Sequence, residues 1–144
     1  MEALSKENVP ALAKMFSEQP EEAFTYFRPH GFSLKELSIL VRDCGFLAYV
    51  VKDGNQVVGY IFQRSFFWGK AYRGYITDYR WQRKGINKLM NTFMTEISSL
   101  LGLEVYGTIS PTNVASLKSA ESANEVKIVK TLSNGDYFVQ YLPK

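Results

Sequence analysis

The sequence predicts a mixed α/β domain of the α+β type, with a central, mostly antiparallel sheet flanked by helices. Three observations predict it. Helical spacing opens the chain, a meander of β-branched and aromatic segments follows, and one strong amphipathic helix leads into a strand–helix–strand unit with a final hairpin. No repeat, low-complexity tract or Pro/Gly-rich linker divides the sequence, so residues 1–144 read as a single domain.

The first helix is expected over about 5–18, with Ser5 as its cap, Pro10 close enough to its start to be tolerated, and Leu12, Met15 and Phe16 on one face. Residues 20–27 read as a short helical turn ending at Arg28-Pro29. Ser33-Leu34-Lys35-Glu36 fits a capping box, and Leu34, Leu37, Leu40 and Val41 carry helical spacing to about residue 43. After Gly45 the pattern changes. Phe46 to Lys52 and Gln56 to Phe66 read as strands around the turn Asp53-Gly54-Asn55, and a third strand is expected over about 71–78. From residue 86, Ile86, Leu89, Met90, Phe93, Met94, Ile97, Leu100 and Leu101 recur at helical spacing until Gly102 supplies a stop. Glu104 to Ile109 reads as a strand, 114–123 as a short helix, 126–132 as a strand, and Tyr137 to Leu142 closes the final hairpin.

The composition excludes several chemistries. Ten Phe, nine Tyr and two Trp suit a packed sheet or a recognition groove, and 46% hydrophobic residues supply a core without metal or disulfide staples. With Cys44 and His30 each alone, neither an internal disulfide nor a Cys/His zinc site of the usual ligand number can form. Cys44 is expected to pack in the core after a helix, and His30 to sit in a turn beside Pro29. A net charge of +3 is too mild for general nucleic-acid affinity. No apolar run reaches membrane-spanning length and the N-terminus lacks signal-peptide features, so a soluble cytoplasmic protein is expected, without membrane partners. Phe66-Phe67-Trp68 would form an apolar surface patch unless a partner or ligand covers it, and a homodimer is one way to do so.

The segment that carries chemistry is Arg80-Trp81-Gln82-Arg83-Lys84-Gly85-Ile86-Asn87-Lys88, between a strand and the amphipathic helix. Cations at a helix N-terminus oppose the helix dipole, a conflict that a bound phosphate or pyrophosphate would relieve. Gly85 would let such a group approach the backbone closely. The plain alternative is a solvated basic patch. Neither G-x-x-x-x-G-K-[ST] nor G-x-G-x-x-G occurs, which disfavours P-loop and Rossmann nucleotide sites.

Gln82-Arg83-Lys84-Gly85-Ile86-Asn87 resembles the Q/R-x-x-G-x-G/A signature of the GNAT superfamily of acyl-CoA-dependent N-acyltransferases, with Asn87 departing from it. The order of elements is similar over nearly the whole chain, with Met1 to Leu4 as a remnant first strand, and Asn113 stands where that family places an Asn before a short helix. The resemblance implies acetyl-CoA as co-substrate and a small-molecule amine, such as an amino sugar or amino acid derivative, as acceptor. Residues from Tyr75 through Ile76 to Thr77 would offer backbone groups to the pantetheine arm. Gln82, Arg83, Lys84, Gly85, Ile86, Asn87 and Lys88 would hold the pyrophosphate, and Asn113 and Ser116 the arm. The Tyr that many members use as general acid falls on Ala120, and the usual Gly-Phe after that helix reads Asn124-Glu125. In their place Tyr75 is a candidate acid and Asp78 a candidate base, with a turn residue at a strand end as the plainer reading of Asp78. Tyr72 and His30 are candidate acceptor-binding groups, and no metal is implied. A non-catalytic descendant that binds a coenzyme A derivative or a protein partner is the alternative.

Overall fold

Alternation along the middle of the chain sets the layers. In β3 (Gln56–Phe67), Tyr60 and Phe62 turn to one face and Ile61 to the other, yet each is at most 2% exposed, so the sheet is covered on both sides. The computed structural model describes residues 1–144, except for the side chains of Phe66 and Phe67. Seven strands form one sheet in the order β1-β2-β3-β4-β5-β7-β6, with β1 (Glu2–Ala3), β2 (Phe46–Asp53), β4 (Lys70–Thr77), β5 (Glu104–Ile109), β6 (Glu125–Thr131) and β7 (Tyr137–Leu142) joining β3. Every pairing is antiparallel except β4 with β5. The expected α/β class is therefore observed, down to the short first strand, which pairs Glu2 with Val50.

Helices α1 (Val9–Ser17) and α2 (Leu34–Val41) cover the Tyr60/Phe62 face, through Leu12, Met15, Phe16 and Leu37. Helix α1 starts at Val9, later than expected, because the Asn8 carboxamide takes the Ser5 amide at 2.8 Å and donates to the Ala3 carbonyl at 2.9 Å. Ser33 caps α2 as expected, its hydroxyl accepting from the Glu36 amide at 3.2 Å. Between these helices, Glu21–Phe24 is a 3-10 turn. Cys44 is exposed after α2, against the expectation of core packing, because the chain there is already turning toward β2. Trp68 is 89% exposed at the β3–β4 turn; Phe66 and Phe67, the rest of the expected patch, lie outside the described side chains.

Helix α3 (Ile86–Leu101) and α4 (Val114–Ala123) cover the other face. Helix α3 ends at Gly102, whose φ of 69° is the left-handed conformation that stops a helix. Its buried stripe is Met90, Asn91, Met94, Thr95 and Ser98, whereas Leu100 and Leu101 are 86% and 61% exposed. Three of the five buried residues of this helix are thus polar. No helix is long and apolar enough to cross a membrane.

Candidate active site

Strands β4 and β5 are in register over three pairs, Lys70 with Glu104, Ala71 with Val105 and Tyr72 with Tyr106, and then diverge. Beyond Tyr72 no β5 neighbour uses the backbone groups on that edge of β4, and a cleft of about 1270 Å³ opens between the two strands. Its floor and walls include Tyr72 to Thr77 from β4, Thr108 and Ile109 from β5 with Ser110 just after it, Asn113 and Ser116 at the start of α4, and the turn leading into α3. Tyr26 spans its mouth from the helix-connecting segment, its hydroxyl 2.8 Å from Thr112 Oγ1.

The β4–α3 turn is anchored from beneath. Asp78 caps a 3-10 turn (Tyr79–Trp81), accepting from the Arg80 amide at 2.9 Å and from Arg80 Nη2 at 2.8 Å, while Arg80 also reaches Glu18 at 3.1 Å. The Tyr79 amide donates to Gln19 at the end of α1. Arg83 and Gly85 then both adopt left-handed backbone, with φ of 63° and 81°. The conformation suits Gly85 and costs the Arg about 1 kcal/mol, the kind of local strain that gathers at functional turns. A side chain at Gly85 would meet nothing within 4 Å, so the space before the α3 N-terminus is open, and its unpaired amides face it. Gln82, Arg83, Gly85, Ile86, Asn87 and Lys88 line that end of the cleft.

Asn87, the departure from the signature, is folded back. Its Oδ1 accepts from the Thr77 hydroxyl at 2.5 Å and its carbonyl from Asn91 at 3.0 Å, so the side chain is tied to the end of β4. Asn113 caps α4, accepting from the Ser116 amide at 3.3 Å. Ile76 and Thr77 end β4 on the cleft wall. Tyr75 points toward α4 with its hydroxyl 3.0 Å from Ser116 Oγ, one turn before the buried Ala120. Burial raises its phenol above the ordinary range, against lowering contributions from Ser116, Tyr141 and Arg73. Tyr72 lies on the opposite face of β4, its hydroxyl 2.7 Å from Thr108 Oγ1, and also lines the cleft.

Four expected site residues are placed elsewhere. Asp78 is fully buried and outside the cleft lining. Its burial would raise the carboxyl, but Arg80's side-chain and backbone hydrogen bonds outweigh that and hold it below the usual range, so its oxygens are engaged as a cap. Arg80 is committed to Asp78 and Glu18, and Lys84 Nζ lies over the Trp81 ring at 5.2 Å. His30 stands among Phe16, Phe32, Phe46, Tyr60 and Phe62. Its Nδ1 lies 2.7 Å from the Gly31 carbonyl, which can only accept, so Nδ1 carries the proton and Nε2 accepts from Tyr60 at 2.9 Å. The ring faces the aromatic cluster and not the cleft.

Arg73, Tyr26 and Tyr141 also line the cleft and belong to no motif in the sequence. An Arg inside an otherwise apolar and aromatic strand was the available signal for the first of these. Among the described residues no cluster of His, Cys, Asp and Glu could hold a metal ion.

No family model matches the sequence, and no curated protein matches it. Solved structures do match. The GNAT domain of S. lividans PAT aligns with a TM-score of 0.83 at 11% identity, over 96% of this chain and 87% of that one. A spermidine N-acetyltransferase SpeG chimera from Vibrio cholerae and hSSAT aligns at 0.78 and 18% identity, over 98% and 92%. Ribosomal-protein-S5-alanine acetyltransferase from Vibrio fischeri aligns at 0.76 and 14% identity, over 98% and 90%. Open cleft, glycine turn and strand order together give this chain the fold of the GNAT acetyltransferases.

Proposed function

We propose that this protein is an N-acetyltransferase that moves an acetyl group from coenzyme A to a primary amine of a small molecule, an amino sugar or an amino acid derivative, in the cytoplasm. The observation that carries this is the juxtaposition of a left-handed glycine turn, open at a helix N-terminus and flanked by Arg83 and Lys88, with a cleft between two diverging strands. Helix N-terminal amides and flanking cations suit a pyrophosphate, and the unpaired edge of β4 suits an extended amide-bearing arm.

In this reading Gln82 to Lys88 hold the pyrophosphate, with Lys84 contributing charge from the rim. Tyr75, Ile76 and Thr77 give backbone hydrogen bonds to the arm, and Asn113 and Ser116 close over it. A β4 amide near the cleft polarises the thioester carbonyl, and a neutral amine held on the Tyr72 side attacks it directly. Placing both substrates in one cleft supplies much of the rate. The Tyr75 hydroxyl, reaching Ser116 from β4, takes over the proton-donor role left vacant at Ala120.

Isothermal titration with acetyl-CoA, followed by a thiol-release assay across an amine panel, tests this. Binding with turnover on at least one amine is expected. No binding at millimolar ligand by folded protein would remove the proposal. Binding with no thiol release above background at alkaline pH would favour a non-catalytic coenzyme A-binding protein, a reading that the buried Ala120 motivates.

A further inference from the structure

Arg73 carries a charge that nothing nearby balances. It is 2% exposed on β4, and its guanidinium meets only neutral oxygens. Nε and Nη2 donate to Gln63 Oε1 at 3.0 and 2.8 Å, and Nη1 donates to Asn91 Oδ1 and Thr95 Oγ1 at 3.1 Å each and to Asn124 Oδ1 at 3.5 Å. No carboxylate pairs with it among the described residues. Burial pushes it down to about 10, so it is still a cation at neutral pH. A buried cation without a counter-ion costs several kcal/mol, which makes its neighbourhood a natural seat for negative charge.

That neighbourhood is the cleft wall. The guanidinium lies 4.8 Å from the Tyr141 ring centre, and the Tyr141 ring crosses the space left by Gly107, where a Cβ would come within 2.9 Å of it. Tyr141 in turn neighbours Tyr75, and both phenols line the cleft. The polar groups around Tyr75 are Arg73 from its own strand, the Tyr141 phenol from β7, with Tyr72 acting on Tyr141, and the Ser116 hydroxyl from α4; the rest of its surroundings are the apolar clusters under α3 and α4. Arg73 is the one full charge in this set.

We propose that Arg73 is a positioning residue for acetyl transfer: its carboxylate-free guanidinium, set against Tyr141 behind Tyr75, supplies the positive potential that steadies the departing thiolate. The inference rests on the acetyltransferase reading of the cleft. As the amine nitrogen forms its bond to the thioester carbon, the carbon–sulfur bond breaks with its electron pair going to sulfur. The Tyr75 hydroxyl gives that sulfur its proton, and the phenolate recovers one shed by the nitrogen.

The test is the titration of the thiol of bound coenzyme A, followed by thiolate ultraviolet absorbance against the complex with a desulfo analogue. Free coenzyme A titrated in the same way is the reference; in the wild-type complex the thiol is expected at least about one unit lower. Gln63→Glu places an isosteric carboxylate on the guanidinium, with Ser98 able to donate to it, and so cancels the potential without emptying the core. It is expected to fold, to bind coenzyme A with little change, and to lose at least half of the shift. A bound thiol at or above its free value in the wild type, or a full shift retained in Gln63→Glu, overturns the role of Arg73 and leaves the acetyltransferase reading standing. Failure of coenzyme A to bind the wild type removes both.

Discussion

Replacing Gly85 separates what the β4–α3 turn requires of the backbone from what it requires of charge. At φ 81° any L side chain costs about 1 kcal/mol, a fall in Tm of about 3 °C for a domain of this size. No steric cost adds to this, because nothing lies within 4 Å of a Cβ built there. Gly85→Ala is therefore expected to lose that small increment of stability and to bind coenzyme A only a few-fold more weakly. Gly85→Glu shares the backbone cost and also points a carboxylate into the space before the α3 N-terminus. At about 5 Å and an effective dielectric of about 20, one repulsion between unit charges is about 3 kcal/mol, roughly a hundredfold in Kd. Calorimetric titration of both variants, with thermal melts as the fold control, gives the comparison. The gap should narrow as salt is raised. Equal affinities for the Ala and Glu variants at low salt would show that the pyrophosphate is not held at this turn.

His30 makes the fold sensitive to mild acid. Burial lowers its pKa, so the unfolded chain takes up a proton that the folded ring resists. Stability is complete above about pH 6.5 and falls as pH drops below that value. Urea melts from pH 8 to 5 should show this slope, and His30→Gln should flatten it; an unchanged slope would shift the cause to other groups. Gly107→Ala forces a Cβ to within 2.9 Å of Tyr141 and 3.2 Å of the Arg73 carbonyl, which should cost about 1–3 kcal/mol in a denaturant melt. A neutral outcome would mean that the Tyr141 ring has room to move. Asp78→Asn should destabilise by about 1–3 kcal/mol through its lost ion pair with Arg80, while the acetyl-CoA Kd holds. A large loss of thiol release at full stability and unchanged Kd would restore Asp78 as a candidate base.

What was legible in the sequence was local chemistry. The Ser33 cap, the Gly102 stop and the Asp53-Gly54-Asn55 turn each bring their own reason for their conformation, and each appears in the structure. The β4–α3 glycine turn was legible for the same reason. What a side chain touches was not, because its partner is distant along the chain. Arg80 looked available for phosphate until Glu18, 62 residues away, claimed it. His30 looked like a turn residue until Tyr60 met its ring. Apolar spacing assigned Leu100 and Leu101 inward, but Arg73 and Gln63 on the sheet demand oxygens, and α3 turns Asn91, Thr95 and Ser98 to them instead. Asn124 follows the same logic: where the resemblance led one to expect Gly-Phe, its carboxamide bonds Thr95, Arg73 and the Ala120 carbonyl.

The sheet is one hydrogen-bonded surface but nearly two-leaved in its mechanics. Four strands on one side and three on the other share a seam of three residue pairs, so the ladder by itself resists opening only weakly. The clasp is underneath, where Arg73 on one leaf grips α3 and, through Asn124, the segment entering the other. Substitutions deep in that clasp, far from any substrate, would then retune the angle between the leaves and with it the gauge of ligand the molecule admits.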